Sequence, residues 1–319
     1  MTDTEATPLC PNFAECSASP WFKSSYAMKI ASGSEIVEDG QAMTKLTICA
    51  DDFGLSDGVD LGILDLIGKG RISATSCMMA GPTLERNAPH LLAVVDRADI
   101  GLHITFTDLD FLGPVPCLGG VKPPSLKALM IAAFSRRLVR AEIRAEIARQ
   151  IARFQDVFGR MPDFVDGHQH AHVLPEIREA LFECVRDGVL PASTAIRHCG
   201  DYPLSILRRG IEVPKALFIG ALSAGIARQA RALGMPVNDS FRGITAFAAD
   251  GSFARMFPKF LTGPGIRPLA MCHPALPGYP AHETDAIAAA RLEEYAYFAS
   301  DGYLADLARA GVMVARTGT

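Results

Sequence analysis

Eight histidines occur in this 319-residue chain, and three of them, His168, His170 and His172, fall within five positions. Clustered imidazoles hold divalent metals or carry protons, and a solvated loop has little use for three together. The other groups of related chemistry are an adjacent pair of acids, Asp51-Asp52, and two single histidines, His103 and His273. Each of these groups closes or directly follows a short apolar run, at residues 46–50, 100–104, 164–165 and 269–272. If those runs are parallel strands of one barrel, their ends converge on a single rim, where barrel enzymes build active sites. One carboxylate and two imidazoles form a ligand set for Zn²⁺, Fe²⁺, Mn²⁺ or Co²⁺ that leaves positions open for water and substrate. An ion held in that way lowers the pKa of water and polarises a carbonyl oxygen, and both effects serve amide hydrolysis.

Taken singly, most of these residues have plainer uses. Asp51-Asp52 could cap a helix or start a turn, and a lone His103 in an apolar strand could be a hydrogen-bonded core residue. Asp166, two positions before His168, shares its side if the strand continues; it could accept from an imidazole N–H or cap a turn. His273 follows Cys272, but neighbours on a strand face opposite ways, which argues against a Cys/His nucleophilic pair. The polar run Asn238-Asp239-Ser240-Phe241-Arg242-Gly243 offers Asp239 and Arg242 as clamps for substrate hydroxyls, or is a solvated loop. No serine sits in a nucleophile-elbow motif, so no covalent intermediate is expected.

The elements that must position these groups alternate between strand and helix. Strands are expected at 46–50, 72–79, 100–105, 164–165, 195–198, 268–272 and 312–315. Helices are expected at 58–67, 85–95, 216–233, 285–298 and 303–310, with another opened by Pro175 and closed by Gly188. A polar stretch at 107–124 precedes a long amphipathic helix whose apolar stripe runs from Leu138 through Ile143, Ile147 and Ile151 to Phe158, with Gly159 closing it. Repeated strand–helix units argue for a parallel α/β sheet, and their number favours a single barrel-like domain over an open sheet. Residues 1–43 lack either hydrophobic period and are expected to be a disordered tail preceding a domain at 44–319.

A net charge of −4 and a pI near 6.1 give no basic face of the kind nucleic acid demands. The eight cysteines are scattered without a C-x-x-C pair, which suits reduced thiols in a cytoplasmic protein. No apolar stretch is long enough to span a bilayer.

The motifs Asp51-Asp52-Phe53-Gly54-Leu55-Ser56, Gly101-Leu102-His103, Asp166-Gly167-His168-Gln169-His170-Ala171-His172 and Met271-Cys272-His273-Pro274 follow one another in this order. With them, the chain from about Lys45 onward strongly resembles the YdjC family, which includes chitooligosaccharide and hopanoid-associated deacetylases. The resemblance implies a (β/α) barrel variant distantly shared with NodB-type polysaccharide deacetylases. It also implies one divalent ion, Mg²⁺ or Zn²⁺, and removal of an N-acetyl group from an amino-sugar-containing carbohydrate or glycolipid. By the same resemblance Asp52, His103 and His168 hold the ion, Asp51 is the general base and His273 protonates the leaving amine. Family members begin near Met43, so residues 1–42 are expected to be dispensable. Residues 104–108 depart from the aliphatic residues usual there and the loop 109–124 is particular to this chain, so the substrate is less determined than the reaction. A homodimer taking a small carbohydrate or glycolipid is expected. Two other readings stay open: a metallohydrolase of another amide or a phosphoester, and a non-catalytic sugar-binding protein. The last normally displays stacking aromatics, whereas aromatics are 8% here and the one tryptophan lies in the expected tail.

Overall fold

Strand β1 (Thr44–Phe53) is buried from Leu46 to Phe53 and forms the centre of a parallel sheet. The computed structural model describes residues 43–317 with the exception of 264; the expected tail, apart from its last residue, lies outside the described residues. The chain continues through α1 (Asp57–Gly68), β2 (Ala74–Cys77), α2 (Leu84–Leu92), β3 (Asp99–Ile104), α3 (Leu126–Phe134), α4 (Arg140–Phe158) and β4 (Phe164–Gly167). It goes on as α5 (Ile177–Arg186), β5 (Ala195–Ile196), α6 (Pro203–Arg209), α7 (Val213–Ala232), β6 (Ser240–Arg242) and α8 (Phe253–Met256). It ends with β7 (Pro268–Cys272), α9 (Ala288–Ala299), α10 (Asp301–Ala310) and β8 (Val312–Val314).

The strand order is β5-β4-β3-β2-β1-β7-β6, every pairing is parallel, and β8 pairs with the first residues of β1. The sheet curls, and a single parallel bridge from Ile196 to Val237 brings its two edges toward each other. This is the barrel-like α/β fold expected from the alternation of elements. Apolar residues on both faces of the strands suit the parallel arrangement, since helices cover the outer face while the inner face packs within the curl.

Helix α4 buries the expected stripe, Ile143, Ile147, Ile151, Phe154 and Phe158. Gly159 ends it in the left-handed region at φ 66°, where a side chain would be strained. Three local expectations need correction. Ser240–Arg242 is a strand and not a loop, because its register with β7 imposes extension on a polar segment. Pro175 precedes the helix it was expected to open, which starts at Ile177. Helix α3 was not anticipated: apart from Lys127 it is apolar all round and shows no period.

Candidate active site

The ends of β1, β3, β4 and β7 meet at one rim, and six of the expected residues, Asp51, Asp52, His103, His168, His170 and His273, line one cavity of about 450 Å³. Adjacent residues on a regular strand would diverge, yet both Asp51 and Asp52 reach this cavity. The register between β1 and β2 slips between Ala50↔Thr75 and Phe53↔Cys77, so a bulge falls on the two aspartates. Asp52 takes a positive φ of 72°, a conformation that costs a non-glycine residue about 1–3 kcal/mol. The turn that follows runs through Gly54, whose φ of +100° and approach to the Met78 carbonyl suit only glycine. After β4 the chain turns through a short 3-10 segment, His168–Val173, with Gln169 and His170 also at positive φ. A Cβ on Gly167 would meet the His172 backbone N at 2.9 Å, so glycine is what lets this segment fold back on the strand.

Asp52 Oδ1 lies 3.2 Å from His103 Nε2 and 2.8 Å from His168 Nδ1. Donor separations of about 3 Å are those produced when three ligands contact one ion at about 2.0–2.2 Å. The opposite ring nitrogens are engaged behind them. His103 Nδ1 sits 2.6 Å from Asp166 Oδ1 and 2.9 Å from Ser76 Oγ, and His168 Nε2 sits 2.8 Å from Asp108 Oδ2. Because a carboxylate can only accept, those nitrogens carry protons, and a cation would need to displace only the proton that Nε2 of His103 and Nδ1 of His168 direct at Asp52. The three residues therefore fit a divalent cation.

Charge points the same way. Asp51, Asp52, Asp108, Asp166 and Asp285 form a linked network with the two guanidiniums of Arg197 and Arg291. The acids are in excess. Burial would lower the pKa of His103, but Asp166, then Asp52 and Asp51, outweigh it and push the imidazole up to about 10. His168 is raised by Asp52 and Asp108 against the same burial effect. Asp52 is held well below the usual carboxylate range despite its burial, chiefly by Arg291 and His168.

Asp51 is gripped by the fork of Arg197, at 2.6 Å and 2.7 Å, and the same guanidinium reaches Asp166 Oδ2 at 2.5 Å. Burial alone would raise the Asp51 pKa; Arg197 outweighs it and keeps the carboxylate ionised. His273 Nε2 stands 3.9 Å from Asp51 Oδ2. Burial takes the His273 imidazole down to about 4, against the pull of Asp52 and Asp51, so it is neutral near pH 7. Behind it, the buried Glu294 accepts from the His273 backbone N–H, and burial raises that carboxyl to about 8.

The remaining candidates separate. Asp166 is buried between His103 and Arg197, within the network. His170 lines the cavity with its ring edge-on to Phe241, whereas His172 is fully buried beside the Arg197 carbonyl and Cys199. Burial lowers both, His172 to about 4. Asp239 and Arg242 do not join the cavity: Asp239 accepts from the backbone N–H groups of Ile266 and Arg267, and Arg242 donates to the Phe260 carbonyl. The Cys272 thiol is buried and donates to the Cys49 carbonyl.

Sequence reasoning missed Arg197, Arg291, Asp108, Ser76 and Asp285. Arg197 carried a signal, since it directly follows β5 as the other groups follow their strands. Arg291 comes from α9 and no strand end marks it.

A family model described as YdjC-like protein matches residues 45–309. A chitooligosaccharide deacetylase of Serratia marcescens is 38% identical over 136 residues, which are 42% of this chain and 53% of that protein. The match thus spans about half the length of that relative. A carbohydrate deacetylase of Mus musculus is 27% identical over 249 residues, 74% of this chain and 79% of the mouse protein. Among solved structures, an Enterococcus faecalis protein provisionally assigned to cellobiose-phosphate cleavage superposes with a TM-score of 0.59 at 18% identity, over 86% of this chain and 97% of the other. That likeness is one of fold.

Proposed function

The chain belongs to the YdjC-like protein family, and from that premise we propose that it removes the N-acetyl group from an amino-sugar-containing carbohydrate or glycolipid. The observation that carries this reading is the convergence of Asp52, His103 and His168 on one point, with Asp51 and His273 opening on the same cavity. Asp52, His103 and His168 would hold one divalent ion, which when bound acidifies water and polarises the acetamide carbonyl. Two imidazole nitrogens favour Zn²⁺ over Mg²⁺, which prefers oxygen donors.

Asp51 accepts the proton of the attacking water. Arg197 lowers its proton affinity, yet also guarantees an ionised acceptor held in one orientation. His273 rests neutral, so the proton it gives to the departing nitrogen is one it must first receive. Asp51 Oδ2, 3.9 Å from His273 Nε2, is the nearby source once substrate draws the two together. Asp166 and Asp108 accept from the outer nitrogen of each imidazole, and would leave the inner one for the ion.

The cavity has two halves. Its floor is the ionic network, and its outer wall is Leu126, Met130, Leu174, Phe218 and Leu222. A free chitooligosaccharide would leave that wall without a partner, whereas an amino sugar on an apolar aglycone would cover it. We therefore favour the glycolipid of the two substrate classes. The test is to incubate metal-loaded protein with soluble N-acetylglucosaminyl oligomers, an N-acetylglucosaminyl lipid and phosphoesters, and to measure acetate and phosphate. Acetate from the amino sugars is expected; phosphate release without acetate would overturn the reading.

A further inference from the structure

The apolar wall does not end at the cavity mouth. Leu126 and Met130 also line a shallow open groove along α3, which continues over Ile131 and Phe134. Ile131 and Phe134 are each 48% exposed, and on the opposite wall Phe218 of α7 is 47% exposed. The neighbouring α6, packed on α7, exposes Leu204 at 67% and Leu207 at 55%. Singly exposed apolar residues are ordinary, but a run of them along one opening and the helix beside it marks a surface meant to be covered.

Charge says by what. The whole chain is net negative, yet no Asp or Glu occurs from residue 111 to 141, which holds five Lys and Arg, nor from residue 213 to 238, which holds three. Lys127 on α3, Arg136 and Arg137 just after it, and Arg208 on α6 form no ion pair with a carboxylate among the described residues. A second copy of the chain would set these cations against each other. An anionic lipid surface answers both properties, with its headgroups meeting the cations and its acyl boundary taking Phe134, Leu204 and Phe218.

We propose that the cavity mouth, framed by α3 and α7 and flanked by α6 where it packs on α7, docks on an anionic bilayer surface, as a peripheral contact and not a span. Among the described residues no helix is long and apolar enough to cross a membrane. The surface would hold the protein where a lipid-linked sugar could enter; that last step rests on the glycolipid reading, but docking itself does not.

The experiment pellets the full chain with vesicles of phosphatidylcholine alone or with phosphatidylglycerol added, at low and raised salt. Binding is expected only with phosphatidylglycerol and should weaken with salt. Each cation near such a surface is worth roughly fivefold in affinity, so Arg136→Glu/Arg137→Glu should lower binding by roughly 25-fold or more. Ile131→Ser/Phe134→Ser should also lose binding, while Arg309→Glu, outside the acid-free segments, should bind as the wild type. Circular dichroism and acetate release from a soluble oligomer should be unchanged in all three, which separates failure of docking from failure of the catalytic reading. Binding that ignores phosphatidylglycerol, or charge-reversed protein that pellets like the wild type, would overturn the proposal. So would a dimer without vesicles that Ile131→Ser/Phe134→Ser converts to monomer, since the face would then belong to a second copy.

Discussion

Replacing Arg197 by Met would keep the volume and remove the charge that holds two buried carboxylates together. The guanidinium is 1% exposed and spans Asp51 and Asp166 with contacts of 2.5 to 2.7 Å. Breaking a buried pair from one side typically costs about 3–5 kcal/mol, because the remaining charge stays desolvated. Against a total stability of about 5–15 kcal/mol, the variant should fold with its Tm lowered by roughly 6–20 °C. The sign with pH follows from Asp51. Its carboxyl is depressed in the folded protein, so the stability it contributes is present above the unfolded value of about 3.9 and is lost as pH falls through the folded one. Without Arg197 the folded pKa rises, so the deficit of the variant is full near neutrality and shrinks on acidification, when a protonated Asp51 needs no counter-ion. Urea denaturation of metal-free wild type and variant across that range measures the difference. A deficit near neutrality below about 1 kcal/mol, the size of a surface pair, or one that does not shrink with acid, would refute the argument. Arg197→Lys should recover only part of the loss, since an ammonium cannot span both acids as a fork.

Asp51→Asn should retain metal and turn over about 10²–10⁴-fold more slowly, whereas Asp52→Asn should lose metal and activity together; elemental analysis beside acetate release distinguishes them. If Asp51→Asn loses the metal and Asp52→Asn keeps it, the roles are exchanged. His168→Ala should abolish metal binding, and His170→Ala and His172→Ala should keep most of it, because only His168 faces Asp52; equal loss in all three would defeat that assignment. Adding a divalent ion at a hundredfold excess over its Kd should stabilise chelated wild type by about 2.7 kcal/mol in a thermal melt, with no gain in Asp52→Asn. A gain of the same size in that variant would place the ion elsewhere.

The strand-end residues were legible because apolar runs of strand length leave few places for Asp51, His103, His168 or His273 to go. Arg197 obeys the same rule but was hidden, since the strand was read through it to residue 198 whereas β5 stops at Ile196. Asp108 reaches His168 from a polar stretch with no period of its own, and Arg291 from a helix whose register against β1 only tertiary packing sets. Asp239 and Arg242 misled for the reverse reason: a polar run suggests a binding loop, but Asp239 caps two backbone amides and Arg242 belongs to a strand. That two adjacent aspartates share one cavity depends on a bulge, which alternation alone would not foresee.

Strand β1 joins three partners, β2, β7 and β8, and two of these lie at the far end of the chain; Cys272 and Cys49 touch across 223 residues of sequence. Closing so long a loop is slow, because its entropy is lost before the pairing repays it. Until β7 arrives, β1 presents a bare apolar edge, the kind that pairs with other chains. The aspartates therefore stand on the strand whose completion comes late in folding, and a partly folded chain would be prone to aggregate before it could react. Refolding from denaturant should in consequence be concentration-sensitive, with catalytic competence appearing in the slowest phase.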